Sequence, residues 1–93
     1  MADNFRDNEA ESRFELDVDG TIAFVVYGKS PGAITLLHTE VPPELGGKGI
    51  GSKLARAVLE AVRAQGRKLT VKCEFIQGFM GKHPEYNDLL GAT

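Results

Sequence analysis

The sequence predicts a mixed α/β domain in which antiparallel strands precede a strand–helix–strand unit. Three observations lead to this prediction. The first half of the chain contains short segments of strand character, residues 49–65 have the apolar periodicity of an amphipathic helix, and a short strand and a second helix follow. The 93 residues fit one domain, and a content of 42% hydrophobic and 26% charged residues is ordinary for a globular protein.

The charge balance and the cysteine content narrow the classes of function. The 11 Lys and Arg residues against 13 Asp and Glu residues leave a formal charge of −2, which gives no general attraction to nucleic acid or anionic membranes. The single cysteine cannot form an internal disulfide, and no apolar run approaches the roughly 20 residues that span a bilayer. We therefore expect a cytoplasmic protein without a signal peptide and without nucleic-acid or membrane partners.

The N-terminal part of the chain divides into a tail and a first strand. Residues 1–12 are polar apart from Phe5, so we expect a flexible tail before a single domain over residues 13–93. Within residues 14–18, apolar side chains alternate with acidic ones, which is the period of a half-buried strand.

Two further strands are predicted, and short turns join them. Asp19–Gly20 is a hairpin signal, and TIAFVVY at 21–27 is rich in β-branched and aromatic residues. A second turn over 28–32 leads into AITLLHTEV at 33–41, which is apolar on both faces in its middle. Turns this short make the three strands antiparallel.

The periodicity changes after the third strand. Apolar residues recur every fourth position, which predicts a helix from about residue 49 to residue 65 that stops at Gly66. LTVKC at 69–73 is a short strand, and FIQGFMGK at 75–82 is a weaker helix because it contains two glycines. If the third and fourth strands are neighbours in one sheet, they are parallel and joined by a right-handed crossover.

A cluster of glycines marks the start of the long helix. The stretch PPELGGKGIGSKL holds Gly46, Gly47, Gly49 and Gly51, where the free amides and the positive dipole end of a helix attract anions. Glycine lets the backbone approach a phosphate without interference from Cβ, whereas a tight turn alone needs one glycine. We therefore favour a phosphate or pyrophosphate site, although the spacing matches neither the Rossmann fingerprint nor a Walker A loop.

The predicted topology brings Cys73 close to this loop. In a parallel pair the carboxyl ends of both strands lie at one edge of the sheet, where open α/β folds bind ligands. Cys73 ends the fourth predicted strand, and the glycine loop follows the third.

These segments together resemble a known family. The stretch TEVPPELGGKGIGSKLARAVLEAVRAQGRKLTVKCEF and the later HPEY are similar to the short, single-domain branch of the GNAT N-acetyltransferase superfamily. The resemblance implies a minimal GNAT-like fold, acetyl-CoA as cosubstrate and no metal. It also implies that the strands that hold Val41 and Cys73 splay apart and leave a slot for the pantetheine arm.

The resemblance also indicates which residues contact acetyl-CoA. The family loop reads [QR]-x-x-G-x-[GA], and Gly49-Ile50-Gly51 match its second half, whereas Gly46 occupies the [QR] position and departs from the pattern. In such enzymes the backbone amides of this loop hold the CoA pyrophosphate, and Lys82 is a candidate for an adenosine phosphate. The expected cofactor-binding residues are Val41, Gly46, Gly47, Lys48, Gly49, Ile50, Gly51, Ser52 and Lys82.

Acetyl transfer to an amine requires a proton acceptor, donors for an oxyanion and a proton for the leaving thiolate. Cys73 is a candidate nucleophile that accepts the acetyl group, and the alternative is a buried cysteine that only packs. His38 and Glu40 are candidate proton relays, and the alternatives are a hydrogen-bonded core histidine and a solvated carboxylate. Tyr86 is a further candidate proton donor, although HPEY also suits a turn that ends a helix.

The leading prediction is an acetyl-CoA-dependent N-acetyltransferase. A non-catalytic CoA- or acyl-CoA-binding module is the alternative, and a partner-binding domain that has lost the ligand is a third class. A chain this short lacks the extra helices with which larger relatives hold substrates, so the acceptor site is expected to be shallow. Such a site suits an amine on a protein or peptide. We expect a monomer or a weak dimer.

Overall fold

Five strands form one sheet in the order β1-β2-β3-β4-β5. The computed structural model describes residues 3–47 and 49–91. The elements in chain order are β1 (Asp3–Asn8), β2 (Arg13–Val18), β3 (Thr21–Ser30), β4 (Ala33–Glu40), α1 (Ile50–Gln65), β5 (Lys68–Val71) and α2 (Glu74–Lys82). The first four strands are antiparallel neighbours, and β4 and β5 are parallel. This arrangement confirms the predicted mixed α/β class and its parallel pair.

The helices cover one face of the sheet. Helix α1 contacts β2 and β3, helix α2 contacts β4 and β5, and the two helices contact each other. Alternate strand residues point toward α1, and its apolar stripe meets them as the fourfold spacing predicts. The buried residues of α1 are Ile50, Leu54, Ala55, Val58, Leu59 and Val62. In the described part of the chain, no helix is long and apolar enough to cross a membrane.

The N-terminal segment departs from the sequence prediction. Residues 3–8 form the edge strand β1 and residues 9–11 a short 3-10 turn, so the expected flexible tail is wrong for this segment, while residues 1 and 2 lie outside the described residues. Phe5 stacks on Phe14 with 5.8 Å between ring centroids. Asp7 accepts a hydrogen bond from the Tyr27 hydroxyl. These partners lie on other strands, and a polar local sequence cannot reveal them.

A β-bulge changes which side chains of β4 share a face. Leu36 pairs with Tyr27 and His38 pairs with Val26, so Leu37 has no partner across the β3–β4 ladder. The extra residue shifts the alternation, and His38 therefore lies on the opposite face from Leu36. Strict alternation would have placed both on the same face.

The parallel pair separates near its carboxyl end. Strand β4 pairs with β5 only from Ala33 to Leu36, and the amide of Lys72 makes a last bond of 2.9 Å to the carbonyl of Leu36. Residues 38–40 continue to pair with β3, without β5. The two strands therefore diverge before Val41 and Cys73, as the family resemblance implies.

A buried carboxylate holds β1 against β2. Glu15 is only 1% exposed, and it accepts hydrogen bonds from Arg6, Asn8 and Arg13. Burial by itself raises the pKa of a carboxyl group, but the three donors outweigh it and hold the pKa of Glu15 below its usual value of 4.5. The negative charge of Glu15 is therefore part of the folded state.

We expect Glu15→Gln to lower the free energy of unfolding at pH 7 by about 1–2 kcal/mol, because charged hydrogen bonds become neutral ones. A lowered folded pKa contributes stability that is present above the unfolded value and is lost as the pH falls through the folded value. The difference between wild type and variant should therefore shrink below pH 4.5 in urea unfolding at a series of pH values. Glu11→Gln, at an exposed carboxyl, is the control. A difference that does not change with pH would contradict the expected role of the charge.

Candidate active site

The glycine loop links the end of β4 to the start of α1. A 3-10 turn, Pro43–Leu45, follows the strand, and Leu45 anchors it in the core. The loop then needs left-handed backbone at Gly47, with φ of 76°, and at Gly49, with φ of 70°. Glycine adopts this conformation without the cost that a Cβ imposes. Lys48, one of the expected cofactor residues, lies outside the described residues.

The loop exposes the amino end of α1. Gly49 is the N-cap residue, and the first helical bond runs from the amide of Lys53 to the carbonyl of Gly49 at 3.0 Å. The amides of residues 50–52 precede that bond, so they have no carbonyl partner within the helix and carry its positive dipole end. A Cβ at Gly47 or Gly49 would meet no atom within 4 Å. The loop therefore offers donors beside open space, which fits a pyrophosphate.

The other two glycines of the loop have different physical reasons. Gly46 is extended, with φ of −64°, and a Cβ there would lie 3.1 Å from the carbonyl oxygen of Pro43. At Gly51 a Cβ would lie 2.5 Å from the ring of Phe75. Only the tertiary structure distinguishes these reasons from those at Gly47 and Gly49.

A cavity of about 270 Å³ lies over the loop. It brings together most of the residues expected to contact the cofactor. Its lining residues are Val41, Leu45, Gly46, Gly47, Gly49, Ile50, Gly51, Ser52 and Phe75. An adjacent groove of about 330 Å³ runs from Ser52, near the start of α1, along α2 to Lys82 at the end of that helix. Lys82 thus shares a groove with the start of α1, although its contact with a phosphate stays a prediction.

Cys73 lies where the parallel strands diverge. Strand β5 ends at Val71, so the predicted strand over 69–73 ends two residues too late, and Cys73 is instead the N-cap residue of α2. The thiol is 6% exposed, and its Sγ lies 2.8 Å from Oγ1 of Thr39. Both residues line a cavity of about 310 Å³ that also contains His38.

Thr39 was not identified from the sequence. Its register opposite Val25 places it on the helix-covered face, where Cys73 meets it. The one sequence signal for Thr39 was that it lies between the candidate residues His38 and Glu40. Strict alternation, however, would have assigned Thr39 to the face opposite Leu36. The bulge at Leu37 reverses that assignment.

His38 and Glu40 form a solvent-exposed pair. Nε2 of His38 lies 3.0 Å from Oε1 of Glu40, and their side chains are 60% and 55% exposed. Their register opposite Val26 and Phe24 places them on the face away from α1. The alternative of a core histidine is therefore wrong. Because both side chains are exposed, the pair can exchange protons with solvent.

Tyr86 is tied to α1. Its hydroxyl donates to Oε2 of Glu60 at 2.6 Å and accepts from Nη1 of Arg56 at 3.1 Å, and the residue is 1% exposed. The hydrogen bond to Glu60, together with burial, raises the pKa of Tyr86 above its usual value. Tyr86 does not line the cavity of Cys73, so these contacts favour a structural role at the α1 surface.

The chain matches a protein-family model and several known proteins. The family model described as GCN5-related N-acetyl-transferase matches residues 13–89. A 51-residue segment is 39% identical to Protein NATD1 of Bos taurus and 37% identical to that of Homo sapiens, covering 55% of this chain and 45% of each relative. The matched segment thus spans about half the length of these relatives.

A solved structure shares the whole fold. The solution NMR structure of a GCN5-like protein of the N-acetyltransferase type from Staphylococcus aureus superposes with a TM-score of 0.71 at 29% sequence identity. The similarity covers 97% of this chain and 89% of that one.

Proposed function

This chain belongs to the GCN5-related N-acetyltransferase family, and from that premise we propose that it is an acetyl-CoA-dependent N-acetyltransferase. One observation carries the proposal. The cavity over the glycine loop and the cavity at Cys73 lie at the same end of the sheet, and Phe75 lines both. The experiment that tests it is an NMR titration with acetyl-CoA, followed by a turnover assay against a panel of peptide amines and polyamines.

The glycine loop is the proposed site of the CoA pyrophosphate. The amides of Ile50, Gly51 and Ser52 point along the helix axis toward open space, and an anion there replaces the carbonyl partners that these amides lack. Gly46 provides no long side chain to assist, so backbone donors and the helix dipole supply most of the attraction. Val41 lines the same cavity, and its amide is the proposed donor for the oxyanion.

Cys73 is the proposed nucleophile. Acetyl-CoA supplies an acetyl group as a reactive thioester. The Cys73 thiolate forms a bond to the carbonyl carbon, the bond from that carbon to the CoA sulfur breaks, and the CoA thiolate takes up the proton that left Cys73. A neutral amine then bonds to the same carbon, the bond to Sγ breaks, and one amine proton returns to the Cys73 sulfur.

His38 and Glu40 are the proposed route for the amine proton. A neutral imidazole accepts a proton from the attacking amine, and the carboxylate 3.0 Å away stabilises the imidazolium that forms. The pair is exposed on the face of the sheet that α1 leaves open, which suits an acceptor that approaches from solvent. An amine on a protein or peptide fits such an open site better than a small amine that needs enclosure.

Thr39 is the proposed partner of the Cys73 thiolate, to which its hydroxyl can donate a hydrogen bond. We expect Thr39→Val, which keeps the shape and removes the hydroxyl, to slow alkylation of Cys73 by iodoacetamide at pH 7.5 by about 3–10-fold, the worth of one hydrogen bond. Thr39→Ser should restore most of the rate. Equal rates in Thr39→Val and wild type would exclude a role for the hydroxyl.

A non-catalytic CoA-binding module is the second candidate function. The open surface around His38 and Glu40 favours it, because a shallow face does not by itself hold an acceptor. Binding of acetyl-CoA without turnover of any amine would support this candidate. Failure to bind CoA at all would leave a partner-binding domain.

A further inference from the structure

Phe75 occupies an unusual position for a large apolar side chain. It is the second residue of α2, and it is 43% exposed. Three cavities meet at it, namely the one over the glycine loop, the one at Cys73 and the groove beside Lys82. Among the described residues, Phe75 is the one side chain that lines all three.

The ring of Phe75 rests on the start of α1. A Cβ built at Gly51 would lie 2.5 Å from Cζ and 3.2 Å from Cε1 of the ring, so the ring tip contacts the glycine backbone closely. The glycine-loop cavity and the cavity of Cys73 are thereby separate spaces with this ring between them. A single ligand that touches both the loop and Cys73 has to pass the ring.

We propose that Phe75 is a positioning residue for the pantetheine arm of acetyl-CoA, which carries the thioester. Its ring turns away from Gly51 and packs along this arm. This inference rests on the proposed function. An exposed ring is free to change its rotamer within the solvent-filled space, and the contact with the arm removes apolar surface from water. The ring then holds the arm in the line from the glycine loop to Sγ of Cys73.

The first test distinguishes binding of the arm from binding of the phosphates. Wild type, Phe75→Ala and Phe75→Leu are titrated with acetyl-CoA and with 3′-phospho-ADP, which lacks the arm. We expect Phe75→Ala to weaken acetyl-CoA about tenfold, as for partial loss of the burial of a phenyl ring. The affinity of Phe75→Leu for acetyl-CoA should lie between those of wild type and Phe75→Ala. The three proteins should bind 3′-phospho-ADP with affinities that agree within about twofold. Leu90→Ala removes a side chain of similar exposure, 44%, in a different cavity and serves as the control.

The outcomes distinguish this inference from the function on which it rests. Equal weakening of both ligands in Phe75→Ala, or no weakening of either, overturns the role of Phe75 while acetyl-CoA binding by wild type still stands. Wild type that binds neither ligand overturns the proposed function and this inference together.

The second test needs no ligand. Alanine has a higher helix propensity than glycine, so Gly51→Ala should raise Tm wherever its Cβ meets no obstacle. Because the ring has to turn away to admit the new Cβ, we expect Gly51→Ala to raise Tm less in the wild-type background than in the Phe75→Ala background. Equal changes in Tm in the two backgrounds would show that the ring does not rest on Gly51 in solution and would overturn the proposed position of the ring.

Discussion

Incubation with acetyl-CoA will leave one acetyl group on the protein, on the Sγ of Cys73, and Cys73→Ala will abolish amine acetylation. The physical reason is that the thiol lines the cavity at the divergence of β4 and β5, beside Thr39. Intact-protein mass spectrometry detects the adduct and peptide mapping locates it. The affinity for CoA should stay nearly unchanged in Cys73→Ala, because the phosphates bind at the glycine loop.

Loss of stability has to be separated from loss of chemistry in this experiment. Cys73 is 6% exposed, so Cys73→Ala also removes packing and costs about 1 kcal/mol. Ile76→Val, at a fully buried residue of α2, lowers the free energy of unfolding by a similar amount, about 0.5–1.5 kcal/mol, and leaves the thiol intact. Turnover should survive in Ile76→Val. Full turnover in Cys73→Ala would end the covalent route and leave direct transfer from CoA to the amine.

Gly49→Val will reduce CoA affinity by at least about 30-fold, because a branched side chain fills the space in front of the loop and disturbs amides that each supply a charged hydrogen bond. Gly49 is the N-cap residue of α1, with φ of 70°. Isothermal titration calorimetry or an NMR titration measures the loss. The backbone strain of a non-glycine residue at this φ lowers stability by about 1–2 kcal/mol, so folding has to be verified at the assay temperature.

The same helix offers a matched control at its other end. Gly66 is the C-cap residue with φ of 69°, so Gly66→Val introduces the same backbone strain far from the proposed site. We expect the two variants to lose similar stability and only Gly49→Val to lose CoA binding. Similar affinity losses in both would mean that strain, and not the phosphate cradle, governs binding.

Several elements could be predicted from local pattern alone. The α1 boundaries agree within one residue, since its apolar stripe repeats every fourth position and Gly66 ends it in the left-handed conformation. The strands over 14–18 and 21–27 lie within β2 and β3, because alternation and β-branched residues are local signals. The placement of the glycine loop and Cys73 at the same end of the β4–β5 pair followed from the direction of parallel strands, which restricts topology before any contact is known.

Other features depended on partners distant in sequence. Strand β1 looks like a polar tail, and it is a strand because Glu15 binds Arg6 and Asn8 across the ladder. The bulge at Leu37 depends on the pairing of β3 with β4, and it decides that Thr39 meets Cys73 while His38 and Glu40 face solvent.

The sequence by itself therefore determined the order of elements from β2 to α2 and the position of the glycine loop at the start of α1, because periodicity, capping and backbone freedom are properties of neighbouring residues. The tertiary structure alone decided which side chains surround Cys73 and that Phe75 lies against Gly51. A one-residue bulge reverses a strand's faces, and a ring contact joins residues from separate helices, so neither follows from local pattern.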